Sequence, residues 1–281
     1  MELKKTMSWK RSERLIDMTH HLLNHPKTLI PLTYFSMKYD AAKSSISEDI
    51  AILKETFERE GIGKLVTYPG ASGGVKFHIK VRREEVTPFV DELCETLEDE
   101  RRLLAGGYLY MSDILGDPKL MDMVGKIFAT IYSELEIDAI MTVATKGIPI
   151  AHAIAKYLNV PVVIVRREYK VTEGSTVSIN YVSGSSKRIQ TMLLSKRSLK
   201  EGSRVLIVDD FMKAGGTING MISLLKEFNA TYAGIAVLVE TEDVKNRLVD
   251  DYTSIVKLKN VDEENGEIKV VPGNFVKRSW D

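Results

Sequence analysis

Apolar positions along this chain change their period, and the changes divide it. Between Lys10 and Asn24, Leu15, Ile16, Met18, Leu22 and Leu23 recur at helical spacing, and His25-Pro26 ends the run. Pro31 opens a short second helix to about Tyr39, with Leu32, Phe35 and Met37 partly inward. After a polar turn at 40–43, Ile46, Ile50, Leu53 and Phe57 mark one face of a third helix, which Gly61 stops. Ser44 or Ser45 can cap it, and Ser45 with Glu48 has capping-box spacing. The period then shortens: Ile62 to Thr67 and Val75 to Val81 flank the tip Tyr68-Pro69-Gly70-Ala71-Ser72-Gly73-Gly74, which predicts a hairpin.

The remainder reads differently. Val86, Phe89, Val90, Leu93 and Leu97 stripe a charged helix from Glu84 to Leu104, expected to link two domains, 1–83 and 84–281, or to pack on a partner. Gly106-Gly107 ends it, and a helix follows from Lys119 to Leu135. Elements then alternate: strand 138–144, helix 148–159, strand 160–165, strand 204–210, helix 217–228 and strand 233–240. Such alternation predicts an α/β domain with a parallel sheet and crossover helices.

A length of 281 residues suits two domains. There is no apolar run of membrane length, and no apolar region follows Lys4 and Lys5, so neither a membrane span nor a signal peptide is expected. Cys94 is the single cysteine, which excludes an internal disulfide framework and a cysteine-based zinc site and suits a cytoplasmic location. Net charge is zero but unevenly spread. Residues 1–83 hold 15 Lys and Arg against 9 Asp and Glu, and the rest hold 24 against 30. A +6 module is what a polyanion would meet. Three short helices followed by a hairpin form a winged helix-turn-helix, whose third helix enters the major groove of double-stranded DNA N-terminus first. Lys43, Ser44, Ser45 and Ser47 lead that helix, and Lys64 and Lys76 flank the wing. Small hydroxyls allow close approach to phosphates and base edges. The same domain could instead serve protein–protein contact or dimerisation.

Chemistry concentrates at Arg204–Thr217, RVLIVDDFMKAGGT. An unbroken apolar run reads as a strand covered on both faces. Asp209 and Asp210 sit at its carboxyl end, and Gly215-Gly216-Thr217 opens a helix. Free N–H groups at a helix start suit a phosphate, and glycines let it approach closely. The carboxylates suit vicinal hydroxyls of a ribose, or a Mg²⁺ held beside phosphates. Together these describe a ribose 5-phosphate pocket. Thr145-Lys146-Gly147 makes a second anion-binding turn at the same sheet edge. Arg166 to Arg188 is long and polar: a lid whose Arg166, Arg167, Lys170, Lys187 and Arg188 reach phosphates, a surface hairpin, or both. Tyr108 and Tyr110 either stack on a base or pack beneath the site.

The stretch from Arg204 resembles the phosphoribosyl pyrophosphate (PRPP) motif of type I phosphoribosyltransferases. It departs at Ala214, where those enzymes usually carry Thr; the lost hydroxyl contact is worth roughly 1–2 kcal/mol. By that resemblance Asp209 and Asp210 take the ribose hydroxyls, Lys213 to Thr217 the 5-phosphate, and Thr145, Lys146 and Gly147 the pyrophosphate. Fused to a winged helix, and with LIPLTYFSMKYDAAKSSISEDI, VATKGIPIA, VTEGSTVSINYVSGSSKRIQTM and VLIVDDFMKAGGTINGM, the whole chain resembles the purine operon repressors of Gram-positive bacteria. The resemblance implies a homodimeric, non-enzymatic repressor of purine biosynthesis and transport genes. PRPP, with or without Mg²⁺, acts as the effector that relieves operator binding, and no cofactor or protein-held metal is required. A catalytically active purine phosphoribosyltransferase with an accessory domain, and an RNA-binding attenuator on the same fold, are the alternatives.

Overall fold

The computed structural model describes residues 9–70, 73–182, 189–242, 247–262 and 267–278. The chain divides into two units between Val81 and Arg82, against the 83/84 boundary read from the sequence.

The first unit runs α1 (Arg11–Asn24), β1 (Ile30–Pro31), α2 (Leu32–Tyr39), α3 (Lys43–Arg59), β2 (Lys64–Tyr68) and β3 (Gly74–His78). The strands pair in the order β1-β3-β2, and Leu65 lies opposite Phe77. The wing tip at Ala71 and Ser72 lies outside the described residues. The short β1, which periodicity did not show, joins the hairpin through Ile30 and Pro31. Met18, Leu22, Phe35, Ile46, Phe57, Leu65 and Phe77 fill the core. Two expectations fail on this geometry. Ile16 and Met37 are 72% and 83% exposed. Each lies two residues, over half a helical turn, from the inward Met18 or Phe35. The capping box also fails: α3 starts at Lys43 with Ala42 at its N-cap and no side-chain cap. The serines therefore lie within the first turns, free to face outward.

The second unit begins with α4 (Arg83–Leu97), followed by β4 (Leu103–Leu104), β5 (Tyr108–Leu109), α5 (Ser112–Gly116), α6 (Pro118–Ile131) and β6 (Ala139–Val143). Next come α7 (Gly147–Leu158), β7 (Val162–Val165), the hairpin β8 (Thr176–Val182) and β9 (Ile189–Ser195), and β10 (Arg204–Met212). The last elements are α8 (Gly216–Lys226), β11 (Thr231–Thr241), β12 (Thr253–Asp262) and β13 (Glu267–Pro272). Helix α4 is neither as long as expected nor a linker. It stops at Leu97 and packs on β12 and β13 through its buried Val86, Val90, Leu93 and Leu97.

Six strands form the main sheet, ordered β13-β12-β11-β10-β6-β7. All pairings are parallel except β12 with β13. Strands β6 and β10 are neighbours, yet β6 crosses through α7 to β7 on one side while β10 crosses through α8 to β11 on the other. That reversal is a topological switch point, where the carboxyl ends of the strands leave a crevice. One face buries Met141, Val143, Val205, Ile207, Ile235 and Val237 against Met221, Leu224 and Leu225 of α8, with Met192 and Leu194 of β9. The alternate residues Ile140, Leu206, Val208, Ala236 and Leu238 are buried too, so both faces are covered, as the apolar run predicts.

Candidate functional site

A cavity of about 390 Å³ opens at the switch point. Its walls include Thr145 and Lys146 after β6, Asp209 to Met212 on β10, Lys213 to Ile218 at the start of α8, and Arg167 and Tyr108. Two turns distant in sequence therefore share one space, because β6 and β10 pair from Val205↔Ala139 to Val208↔Thr142.

Gly215 holds φ +80° at the N-cap of α8, a left-handed conformation that glycine adopts without strain. Gly147 is required for another reason. A Cβ there would lie 2.1 Å from Thr142 Oγ1, a buried hydroxyl with no partner among the described residues. The helix therefore starts directly over the strand end. Each turn thus leaves the amides of a helix start facing the crevice, a setting for anionic oxygens. The peptide between Ala144 and Thr145 is cis.

Asp209 is buried, and its Oδ1 accepts from the Asp210 N–H at 3.0 Å. Burial, and then the Asp210 charge, push the Asp209 carboxyl well above its usual range. Burial raises Asp210 as well, opposed by Lys146 and Arg167. Two acids that repel each other and, among the described residues, have no bonded cation call for hydroxyl donors or a cation from a ligand. Opposite them, Lys146 and Arg167 are exposed cations lining the same cavity. The site is thus bipolar, with an acidic floor and basic, amide-lined turns. No group of three or more His, Cys, Asp or Glu side chains among the described residues could cage a metal. A Mg²⁺ here would take Asp209 or Asp210 plus oxygens carried in by the ligand.

Not every expected residue reaches the cavity. Lys213 lines it, but its Nζ donates to the Gly106 carbonyl at 3.2 Å and lies 5.9 Å from the Tyr108 ring centre. Arg166 Nε instead donates to Glu173 at 2.6 Å, and Lys170 sits 3.7 Å from Glu168; neither lines the cavity. The lid reading at Lys187 and Arg188 lies outside the described residues. What is described of that stretch is the hairpin reading, β8 against β9 from Thr176↔Ser195 to Val182↔Ile189. Tyr108 packs at 5.7 Å from Phe211 and also lines a smaller cavity of about 240 Å³ with Leu104, Leu109 and Met111. Tyr110 lines neither.

In the first unit, Lys43, Ser44 and Ser47 are exposed at the head of α3, Ser45 is half-buried, and Lys64 is exposed on β2. Lys76 Nζ lies 5.2 Å over the Tyr68 ring. Sequence reasoning missed Asp49, fully buried on α3. Arg11 Nε and Arg14 Nε each donate to it at 2.9 Å. Its signal was present: an acid at an inward position beside Ile46, Ile50 and Leu53.

The family described as bacterial purine repressor, N-terminal, matches residues 10–79, and the phosphoribosyl transferase domain matches residues 111–273. The chain is 60% identical to the purine biosynthesis transcriptional repressor of Bacillus subtilis (strain 168), over 96% of this chain and 95% of that protein. It is 51% identical to the purine biosynthesis transcriptional activator of Lactococcus lactis subsp. lactis (strain IL1403), over 95% and 98%. Among solved structures, an adenine phosphoribosyltransferase of Thermoanaerobacter pseudethanolicus superposes with a TM-score of 0.53 at 22% identity. It covers 60% of this chain and 99% of that one, a likeness of fold alone.

Proposed function

This chain belongs to the bacterial purine repressor family, and from that premise we propose that it regulates transcription of purine biosynthesis genes, with PRPP as the ligand its larger unit senses. The supporting observation is the pairing of two anion-accepting helix starts around two buried, cation-poor carboxylates in one crevice. PRPP carries the matching groups in the matching order. A 5-phosphate faces Lys213 to Thr217, a ribose diol donates to Asp209 and Asp210, and a pyrophosphate meets Thr145, Lys146, Gly147 and Arg167. Mg²⁺ enters with the pyrophosphate.

The first unit binds double-stranded operator DNA through the head of α3 and the wing. Lys43, Lys64 and Lys76 meet phosphates and Ser44, Ser45 and Ser47 approach the groove. The protein acts in the cytoplasm as a homodimer, which suits two-fold DNA half-sites. It is a regulator rather than an enzyme, in keeping with the 60% and 51% identical relatives, both named transcriptional regulators. Repression is the sign favoured by the 60% identical relative, while the 51% identical relative is named an activator. A reporter assay on a purine promoter settles that sign.

PRPP releases the DNA by binding one state of the protein better than the other, a coupling typically of about 1–3 kcal/mol. A mobility-shift titration with operator DNA, Mg²⁺ and PRPP tests it. Affinity unchanged at saturating PRPP would remove the effector role. The smaller cavity beside Tyr108 is where a catalytic reading would seat a base. Incubation with PRPP and adenine, guanine or xanthine is expected to give no turnover at enzyme-like rates.

A further inference from the structure

Behind the turn at Lys213–Thr217 lies a buried ionic cluster that does not line the ligand cavity. Glu240, at the carboxyl end of β11, has a side chain only 3% exposed. Its Oε2 accepts from Arg247 Nη1 at 2.6 Å and from the Tyr252 hydroxyl, and its Oε1 accepts from Ser254 Oγ at 2.7 Å. Arg247 also donates to the Thr241 carbonyl and lies over the Tyr252 ring at 5.2 Å. A buried charge pair with this many bonds holds its two backbones in one geometry.

The residues after Arg247 run along the anion turn. The Leu248 N–H donates to the Ala214 carbonyl at 2.9 Å. Buried Val249 packs so closely on Gly215 that a Cβ there would lie 3.1 Å from its Cγ2. The direction of one peptide follows. In a trans peptide the C=O and the following N–H point opposite ways. With the Ala214 carbonyl drawn to Leu248, the Gly215 N–H points the other way, and Gly215 lines the cavity. Were that peptide reversed, the turn would present a carbonyl oxygen to an anion in place of an N–H.

We propose that Glu240 and Arg247 are positioning residues for the anion turn: their ion pair seats Leu248 and Val249 on Ala214 and Gly215, and so aims the Gly215 N–H at a sugar 5-phosphate. The proposal rests on the reading that this turn takes the 5-phosphate of PRPP. It predicts a selective defect, because the turn at Thr145–Gly147 lies outside the cluster.

Calorimetry on the full chain, with Mg²⁺, tests it using ribose 5-phosphate and pyrophosphate as separate probes. Glu240→Gln keeps the size of the side chain and removes its charge. Leu248→Pro keeps both charged side chains and removes the donated N–H, while its ring also fixes φ at 248 and restricts Arg247. Both variants are expected to weaken ribose 5-phosphate about tenfold or more while pyrophosphate affinity stays at the wild-type value. Wild-type affinity for ribose 5-phosphate in both variants overturns the positioning role and leaves the PRPP reading standing. Equal losses for both probes also overturn it, since they mark general damage. Wild-type protein that binds neither ribose 5-phosphate nor PRPP brings down the PRPP reading itself, and this inference with it.

Discussion

Two buried aspartates set the units of this chain apart. Asp49, in the first unit, is fully buried and bonded by Arg11 and Arg14, which tie α1 to α3. Asp209, in the second, is 7% exposed, makes no ion pair among the described residues, and is pushed further up by the charge of Asp210 beside it. Burying a carboxylate is costly in both places. At Asp49 the chain supplies the compensation itself, so the charge serves architecture. At Asp209 the chain supplies no cation partner, and the cost is relieved by holding a proton or by a ligand that brings hydroxyls or a cation. A buried charge with its partners present marks structure, and one left without them marks a site.

That contrast breaks most visibly in ligand binding. Asp209→Ala and Asp210→Ala are each expected to weaken PRPP about 100-fold or more, since each removes charge-assisted hydrogen bonds. Operator affinity without ligand should hold. Calorimetry and mobility shift check both, and a parallel collapse of folding would place Asp209 in the same class as Asp49.

Next in size is Asp49→Ala. Breaking a buried pair costs about 3 kcal/mol or more, here from the first unit, with DNA binding lost alongside and PRPP affinity kept. Urea unfolding followed at Trp9 checks this. A variant as stable as wild type would show that the two arginines do not hold the helices together.

A smaller effect has the opposite sign. The folded-state pKa of Asp209 is raised above its ordinary 3.8, so the folded chain holds this proton where the unfolded chain has released it. The contribution of Asp209 to stability is therefore greatest at low pH and falls as pH climbs from about 3.8 through the raised value. Asp209→Asn removes that fall. In scanning calorimetry without ligand it should melt a few degrees above wild type at neutral pH, with the gap closing in acid. A lower midpoint at neutral pH would contradict the account.

Gly215→Ala sharpens the same comparison from the backbone. Alanine in the left-handed region costs roughly 1–2 kcal/mol and crowds Val249, so PRPP binding should weaken about tenfold. Smallest is the effect of exposed charge. Lys64→Ala should lower operator affinity only several-fold and reduce the slope of its salt dependence by about one. An unchanged slope would remove Lys64 from the DNA face.

Much of the site was legible because its signals are local. The run Val205 to Val208, the acids after it, and the glycines that open α8 lie in consecutive residues, and each states its own chemistry. Gly147 was legible as a turn, though not as the only residue that fits over Thr142. Arg166 and Lys170 were less legible, because a cation in a polar loop reads as a phosphate ligand and the sequence does not show which acids are its neighbours. Glu173 and Glu168 were those neighbours. Helix α4 misled for a related reason: its stripe was read correctly, but β12 and β13, which cover it, come far later in the chain.

Periods of apolar residues, turn glycines and the order of acids after a strand act over a few residues, and these the amino-acid sequence determined alone. Which strand ends meet, which guanidinium reaches Asp49, and that Leu248 and Val249 brace the anion turn were decided by the tertiary structure. Those choices depend on burying the two faces of one sheet at once, and no short stretch of chain contains that condition.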